Sequence, residues 1–209
     1  PGLNTKRSSL CGRSFEYYSE DPYLSGKLAA GFIRGAQKQG VSACAKHYAA
    51  NAQELLRMHS DSVMDERTLR EMYLTNFEIA IKEGKPGFVM TAYNRVNGVY
   101  ANESRHLLGD ILRGEWGFDG AVVTDWGGSN SIVEGVREGM NLEMPAAGDD
   151  SPCQLVKAVK DGTIDEKIVD ERVDQLLDFV LAEHKSGESS FDAAKQHQAA
   201  EAAAEKCLV

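Results

Sequence analysis

The sequence predicts an α/β fold of parallel strands joined by crossover helices, and three observations carry that expectation. Short apolar, β-branched runs bounded by glycine recur along the 209 residues. Longer segments whose apolar residues repeat at helical spacing stand between them. The two kinds of segment alternate, which is the order a parallel sheet requires. The clearest strand lies in GAVVTDWGGSN, 120–130, where Ala121, Val122, Val123 and Thr124 stand between Gly120 and the Gly127-Gly128 pair. A run too short for a helix and without a polar face reads as a strand buried on both sides. Asp125 then sits where that strand ends, a place from which a rigid scaffold can present a carboxylate to a cleft. The same residue would serve equally well as an N-cap of the next helix.

The remaining elements follow in order. Residues 1–19 are polar and irregular. Asp21 followed by Pro22 is a helix-entry signal, and over 23–39 Leu24, Leu28, Ala29, Phe32, Ile33 and Ala36 recur at helical spacing until Gly40 closes the run. Residues 41–48, VSACAKHY, read as a strand ending in Lys46 and His47, and the polar stretch 51–62 as a loop. The clearest helix spans 65–84, with Leu69, Met72, Tyr73, Phe77, Ala80 and Ile81 on one face, Asp65 as cap and Gly84 as stop. Its Arg67 is expected to point at the preceding loop. A strand at 87–93 (GFVMTAY), a polar turn at 94–98 (NRVNG) and a helix at 104–115 lead to the Asp125 strand. After it come a short helix at 131–138, a short strand at 141–144 (NLEM), a loop at 146–151 and a helix at 152–160. Thr163 and Glu166 form a capping box for an amphipathic helix ending near Glu183. Residues 185–190 (KSGESS) read as a linker and 193–206 as an alanine-rich helix.

Composition narrows the function classes. A formal net charge of -9 argues against nucleic acid, whose phosphates need clustered Lys and Arg. The four cysteines, Cys11, Cys44, Cys153 and Cys207, are scattered without CxxC spacing, so neither a zinc site nor a disulfide framework is indicated, and they read as free thiols, mostly packed. No apolar run approaches the roughly 20 residues that span a bilayer. The N-terminus lacks the basic-then-apolar order of a secretion signal, which leaves location open with a slight lean to the cytoplasm.

All four expected strands end in chemically able residues: Lys46 and His47, Tyr93 and Asn94, Asp125 and Trp126, and Glu143. Parallel strands that carry such groups at the same end point to one shared site there.

These segments resemble the family-three glycoside hydrolases, whose best known members are β-glucosidases. The similar stretches are GRSFEYYSEDP (12–22), KHYAANAQE (46–54), MDERTLREMYLTNFE (64–78), MTAYNRVNG (90–98), VVTDWGG (122–128) and NLEMP (141–145), in family order over nearly the whole chain. The resemblance implies an incomplete (β/α)8 TIM-type barrel, roughly its C-terminal half, with 1–184 as a partial catalytic barrel domain and 185–209 as a linker and the start of a following domain. It implies that Asp125 is the catalytic nucleophile, with Thr124 in the usual serine place. By the same carry-over Arg13, Lys46 and His47 hold sugar hydroxyls, Tyr93 lies beside the nucleophile and Trp126 flanks the sugar. Arg67 would support the Lys-His loop; Glu143 matches without an assigned role.

The chemistry suits those residue types. Cleavage with retention needs a carboxylate on one side of the anomeric carbon and a proton donor on the other, about 5 to 5.5 Å apart, and passes through a covalent glycosyl-enzyme. Lys46 and Arg13 nearby would favour the ionised nucleophile. The implied substrate is a β-linked glucoside or oligosaccharide, with no metal or organic cofactor, no nucleic acid and no membrane as partner.

Four strands cannot close a barrel of about eight. The first barrel strands are expected to precede Pro1, and the domain that often supplies the acid/base glutamate to follow Val209, on the parent chain or on another chain. One branch of the family, acting on N-acetylglucosaminides, carries an Asp-His acid/base pair in the loop after the Lys-His strand. Here Arg57 replaces that aspartate and AANAQELL lacks the branch's Pro-Gly-His-Gly, which disfavours that substrate and leaves His59 a minor candidate proton donor. Two readings compete with a glycosidase: a Schiff-base lyase or aldolase using Lys46, and a non-catalytic carbohydrate-binding fragment.

Overall fold

A computed structural model describes residues 1–146, 148–183 and 190–207. The α/β expectation holds. Strand β1 (Cys44–Tyr48) is followed by the two-residue β2 (Asp61–Ser62), then by β3 (Phe88–Thr91), and β1, β3 and a later strand β6 (Ala121–Thr124) form a parallel sheet in the order β1-β3-β6. Among the described residues the sheet does not close into a barrel. β6 is buried along its whole length, as its unbroken apolar pattern requires.

Both edges of the sheet are extended by single bridges. On one side Leu3 N–H donates to the Lys46 carbonyl (2.6 Å) and Lys46 N–H to that of Pro1 (3.0 Å), so the first three residues run parallel to β1 rather than being irregular. On the other side the strand expected at 141–144 is only a bridge between Leu142 and Val123. Side chains take over the rest of that ladder: Asn141 Oδ1 accepts Val122 N–H (2.8 Å) and Thr124 Oγ1 accepts Met144 N–H (2.9 Å), after which Pro145 has no N–H to give.

Helix α1 (Pro22–Lys38) starts as its sequence indicates, Asp21 Oδ1 accepting from the N–H groups of Tyr23 (2.8 Å) and Leu24 (3.3 Å). Helix α2 covers 66–84, with Asp65 Oδ1 accepting Thr68 N–H (2.7 Å) and wide π-type turns at Leu69–Leu74 and Ala80–Gly84. The five-residue step from Leu69 to Leu74 is the repeat of such a turn. It brings Leu74 into the core and leaves Met72, expected there, exposed. Arg67 does not face the preceding loop; it is solvent-exposed and pairs with Glu71 on its own helix (3.0 Å). α1 lies close against α2, since a Cβ on Gly26 would meet Ile79 and Asn76, and one on Gly84 would meet Ala30 and Ile33.

After β3, strands β4 (Arg95–Val96) and β5 (Val99–Tyr100) form a hairpin that joins β2 in a second small sheet, so part of the expected loop 51–62 is paired. Asn97 (φ 52) and Gly98 (φ 90) make its turn, the left-handed pair that Asn-Gly favours. Helix α3 (His106–Glu115) returns the chain to β6. Under the sheet Tyr48 packs edge-on against Phe77 (5.2 Å) and Trp116 (5.9 Å), and its hydroxyl donates to the Leu107 carbonyl (2.9 Å).

Beyond β6, helices α4 (Ile132–Glu138) and α5 (Asp150–Lys160) share a smaller apolar cluster of Ile132, Val136, Met140, Ala158 and Ile164. Helix α6 (Glu166–Glu183) sets Phe179 against Phe88 of β3 (4.5 Å). Its N-terminus is not the expected capping box. The Thr163 hydroxyl is taken by Asp161 (2.6 Å), and Asp165 accepts Lys167 N–H (3.0 Å) instead. The linker expected at 185–190 falls almost wholly outside the described residues, and α7 (Ala193–Cys207) is exposed. Cys153 and Cys207 are exposed too, so the thiols are not mostly packed; burial pushes the Cys44 thiol up to about 11.

Gly120, which opens β6, tests how tightly the base of the sheet is packed. A Cβ there would run far inside contact distance of the Gly87 carbonyl oxygen, a backbone atom that cannot swing away. Gly120→Ala is expected to cost about 1–3 kcal/mol in denaturant melts. Gly31→Ala on the open face of α1, where nothing lies within 4 Å, is expected to stabilise by about 0.5–1 kcal/mol.

Candidate active site

The parallel register brings the expected residues to one end of the sheet. Tyr48 stands opposite Thr91 and Thr91 opposite Thr124, so Lys46-His47, Tyr93 and Asp125 all emerge at the same rim. Residues 13–17 return along the other side of the N-terminal segment through a bridge between Gly2 and Tyr17, which sets Arg13 and Glu16 beside them.

Asp125 begins a tight turn closed by Gly128 N–H to its carbonyl (2.8 Å), with Gly127 at φ 74. It does not cap α4; Ser131 does, its hydroxyl accepting Glu134 N–H (3.3 Å). The two carboxylate oxygens differ. Oδ1 accepts Trp126 N–H (2.7 Å), while Oδ2 is buried without a hydrogen-bond partner, with His47 Nε2 at 3.4 Å and Arg13 Nη1 at 3.9 Å. The residue is 8% exposed.

Arg13 and Lys46 share an anchor that sequence reading missed. Glu16 accepts Arg13 Nε on one oxygen and pairs with Lys46 Nζ on the other (2.9 Å). Burial alone would raise the Glu16 carboxyl, but the hydrogen bonds from Arg13 and Lys46 outweigh it and hold it below the usual range. Burial likewise opposes the charge on Arg13, and the Glu16 bond more than restores it. Lys46 thus spends its charge on Glu16 and makes no ion pair with Asp125. The three-residue spacing of Arg13 and Glu16 is the signal that could have revealed the pair.

His47 is 1% exposed and contacts Arg13 Nη2 through Nε2 (2.9 Å) and Asn4 Oδ1 (3.3 Å) and the Tyr17 hydroxyl (3.4 Å) through Nδ1. Burial, helped by the charges of Arg13 and Lys46, lowers its pKa to about 3. An unfolded His47 takes up a proton near its ordinary value of 6.5. Between those values the unfolded chain binds more protons, so the contribution of a neutral His47 to stability is complete above the upper value. It falls by up to about 1.4 kcal/mol for each pH unit below it. The denaturant midpoint is therefore expected to fall further between pH 7 and pH 4 in the native chain than in His47→Gln. Equal falls would contradict the assignment.

Tyr93 is buried and its hydroxyl donates to the Trp126 carbonyl (2.9 Å); burial and then the Asp125 charge raise its pKa. Arg57, from the loop after β1, stacks on its ring (4.6 Å) and pairs with Glu54 (2.8 Å). Trp126 is 54% exposed, its ring available to a ligand. Asn94 is buried and donates to the Ala49 carbonyl (3.2 Å), Glu143 is held by Ser151 (3.1 Å), and His59 is exposed. Among the described residues no cluster of His, Cys, Asp and Glu could hold a metal, and no helix is long and apolar enough to cross a membrane.

Residues 1–179 match the Glycosyl hydrolase family 3 N terminal domain. The chain is 48% identical over 211 residues to Thermostable beta-glucosidase B of Acetivibrio thermocellus, an alignment covering 100% of this chain and 28% of that protein. It is 45% identical over 180 residues to an exo-alpha-(1->6)-L-arabinopyranosidase of Bifidobacterium longum, covering 86% of this chain and 24% of that one. It superposes on beta-glucosidase 3B of Thermotoga neapolitana in complex with glucose with a TM-score of 0.85 and 45% identity, over 87% of this chain and 26% of that one. The chain thus spans about a quarter of the length of these relatives.

Proposed function

The chain belongs to glycosyl hydrolase family 3, and on that premise we propose that it carries the nucleophile and the sugar-gripping residues of a retaining glycoside hydrolase acting on terminal β-glucosides. The observation that carries the reading is the asymmetry of Asp125. A carboxylate anchored through Oδ1, with Oδ2 buried, unpartnered and flanked by Arg13 and His47, is set to attack.

Oδ2 would bond to the anomeric carbon as the bond from that carbon to the leaving oxygen breaks, and the leaving oxygen takes a proton from a general acid. The product is a glycosyl ester on Asp125. Water, giving its proton to the same acid/base group, then attacks the anomeric carbon, releases the carboxylate and frees the sugar with its configuration retained. Arg13 and Lys46 donate to sugar hydroxyls, and these bonds strengthen as positive charge grows on the ring. Tyr93 steadies the Asp125 turn through the Trp126 carbonyl, and Trp126 offers an apolar face to the sugar.

Glu16 and Glu54, the carboxylates beside Arg13, are both tied to cations, so we place the proton donor outside these residues, on a further segment of the polypeptide or on another chain. The missing barrel strands belong to the same proposal. A Schiff-base mechanism fits less well, since Lys46 Nζ is engaged by Glu16 (2.9 Å) rather than free to approach a carbonyl carbon. The arabinopyranosidase relative makes the pyranose itself a second variable.

The test is to follow cleavage of an aryl β-glucoside by the full-length enzyme by proton NMR, with the aryl α-L-arabinopyranoside in parallel. The β-glucose anomer formed first supports the proposal. First-formed α-glucose, or cleavage of the arabinoside alone, overturns it.

A further inference from the structure

We infer that Asn4 is a positioning residue that locks His47 in the tautomer with its proton on Nδ1, which makes Nε2, the ring nitrogen facing Arg13 and Asp125, a hydrogen-bond acceptor. The orientation of the Asn4 amide is fixed by the backbone of His47. Asn4 Nδ2 donates to the His47 carbonyl (2.9 Å), and Asn4 Oδ1 accepts the His47 N–H (2.9 Å). Turning the amide over would set donor against donor and acceptor against acceptor. The atom 3.3 Å from His47 Nδ1 is therefore Oδ1, which has only lone pairs to offer, so Nδ1 must bring the hydrogen.

The other side of the ring gives the same answer independently. Arg13 Nη2 lies 2.9 Å from Nε2, and a guanidinium has donors and no acceptor, so Nε2 must be bare. Asn4 is 2% exposed and His47 1%, which leaves no bulk water to stand in for the amide.

Two consequences follow. The His47 ring gives no hydrogen bond to Asp125 Oδ2, although Nε2 lies 3.4 Å from it, so that oxygen keeps its full nucleophilic character. On the reading of the site as a β-glucosidase centre, on which this second consequence rests, Nε2 accepts from Arg13 Nη2 and so holds the guanidinium in place to donate to a sugar hydroxyl through Nη1.

The tautomer can be read directly from ring-nitrogen NMR of the chain labelled with 15N-histidine, with His47→Gln identifying the signals. The native chain is expected to show a protonated Nδ1 and a bare Nε2 at neutral pH. Asn4→Leu leaves the tautomer to Arg13 alone, so its Nδ1 signal is expected to shift to that of an N–H without a hydrogen-bond acceptor and kcat/KM of the full-length enzyme to fall about 10- to 100-fold; Asn4→Asp, which keeps the acceptor at Nδ1 but gives up the donor to the His47 carbonyl, restores the native Nδ1 signal and part of the rate. A proton on Nε2 in the native chain, a finding that needs no folded variant, would overturn the inference. So would an Asn4→Leu variant whose Nδ1 signal is unchanged from the native chain. The expected spectra in an enzyme that cleaves no glucoside would leave the lock standing and defeat the β-glucosidase reading alone.

Discussion

Asp125→Ala is expected to lower turnover of an aryl β-glucoside by the full-length enzyme on the order of 10^4-fold or more, the scale of loss when a covalent nucleophile is removed. Folding is expected to be unharmed. The side chain contributes one hydrogen bond, from Trp126 N–H, and sets against it a buried oxygen with no partner. Losing both should leave stability within about 1 kcal/mol of the native chain. Asp125→Asn keeps an acceptor for the Trp126 N–H and is expected to be just as inactive, which separates the nucleophile from the turn it holds. Steady-state rates and thermal melts on the same samples check both halves. An alanine variant within tenfold of native activity, or one that melts far below it, would show that Asp125 is structural.

Tyr48→Ala is expected to have the largest effect on stability, about 3–5 kcal/mol, because the ring is fully buried against Phe77 and Trp116 and its loss leaves both a cavity and an unpaired Leu107 carbonyl. A domain of this kind has only about 5–15 kcal/mol in hand. Tyr48→Phe keeps the ring and removes only the hydroxyl, so about 1 kcal/mol is expected. Tyr48 directly follows His47, and a slack β1 would also displace Lys46 and His47 from Asp125. Denaturant titrations of the two variants give the comparison. Equal and small losses in both would mean that the aromatic cluster does not hold the strand.

Elements whose local chemistry decides their structure were legible in the sequence. The apolar runs gave β1, β3 and β6, Asp21 and Asp65 opened their helices, and the strand-end residues Lys46, His47, Tyr93 and Asp125 do meet at one rim. What sequence reading misplaced was decided by partners distant in the chain. Residues 1–3 are too short a segment to show a period, and only pairing with Lys46 makes them part of the sheet. Asn141 and Thr124 replace ladder bonds with side-chain bonds, which no hydrophobic pattern reports. The Asn97-Gly98 hairpin was different, because its signal stood in the sequence between two valines. Glu16 and Asn4 fall between these cases: both lie in polar stretches, and their importance shows only once Lys46 and His47 are beside them.

The measurement that reaches the central claim most directly is trapping with an activated 2-deoxy-2-fluoro-β-glucoside, whose fluorine slows hydrolysis of a glycosyl ester once it has formed. Mass spectrometry of the digested full-length enzyme should place one fluoroglucosyl group on the peptide carrying Asp125, and fragmentation should put it on that residue. An adduct on another carboxylate such as Glu16, or the absence of any adduct from an enzyme that still cleaves the parent glucoside, would contradict Asp125 as the nucleophile.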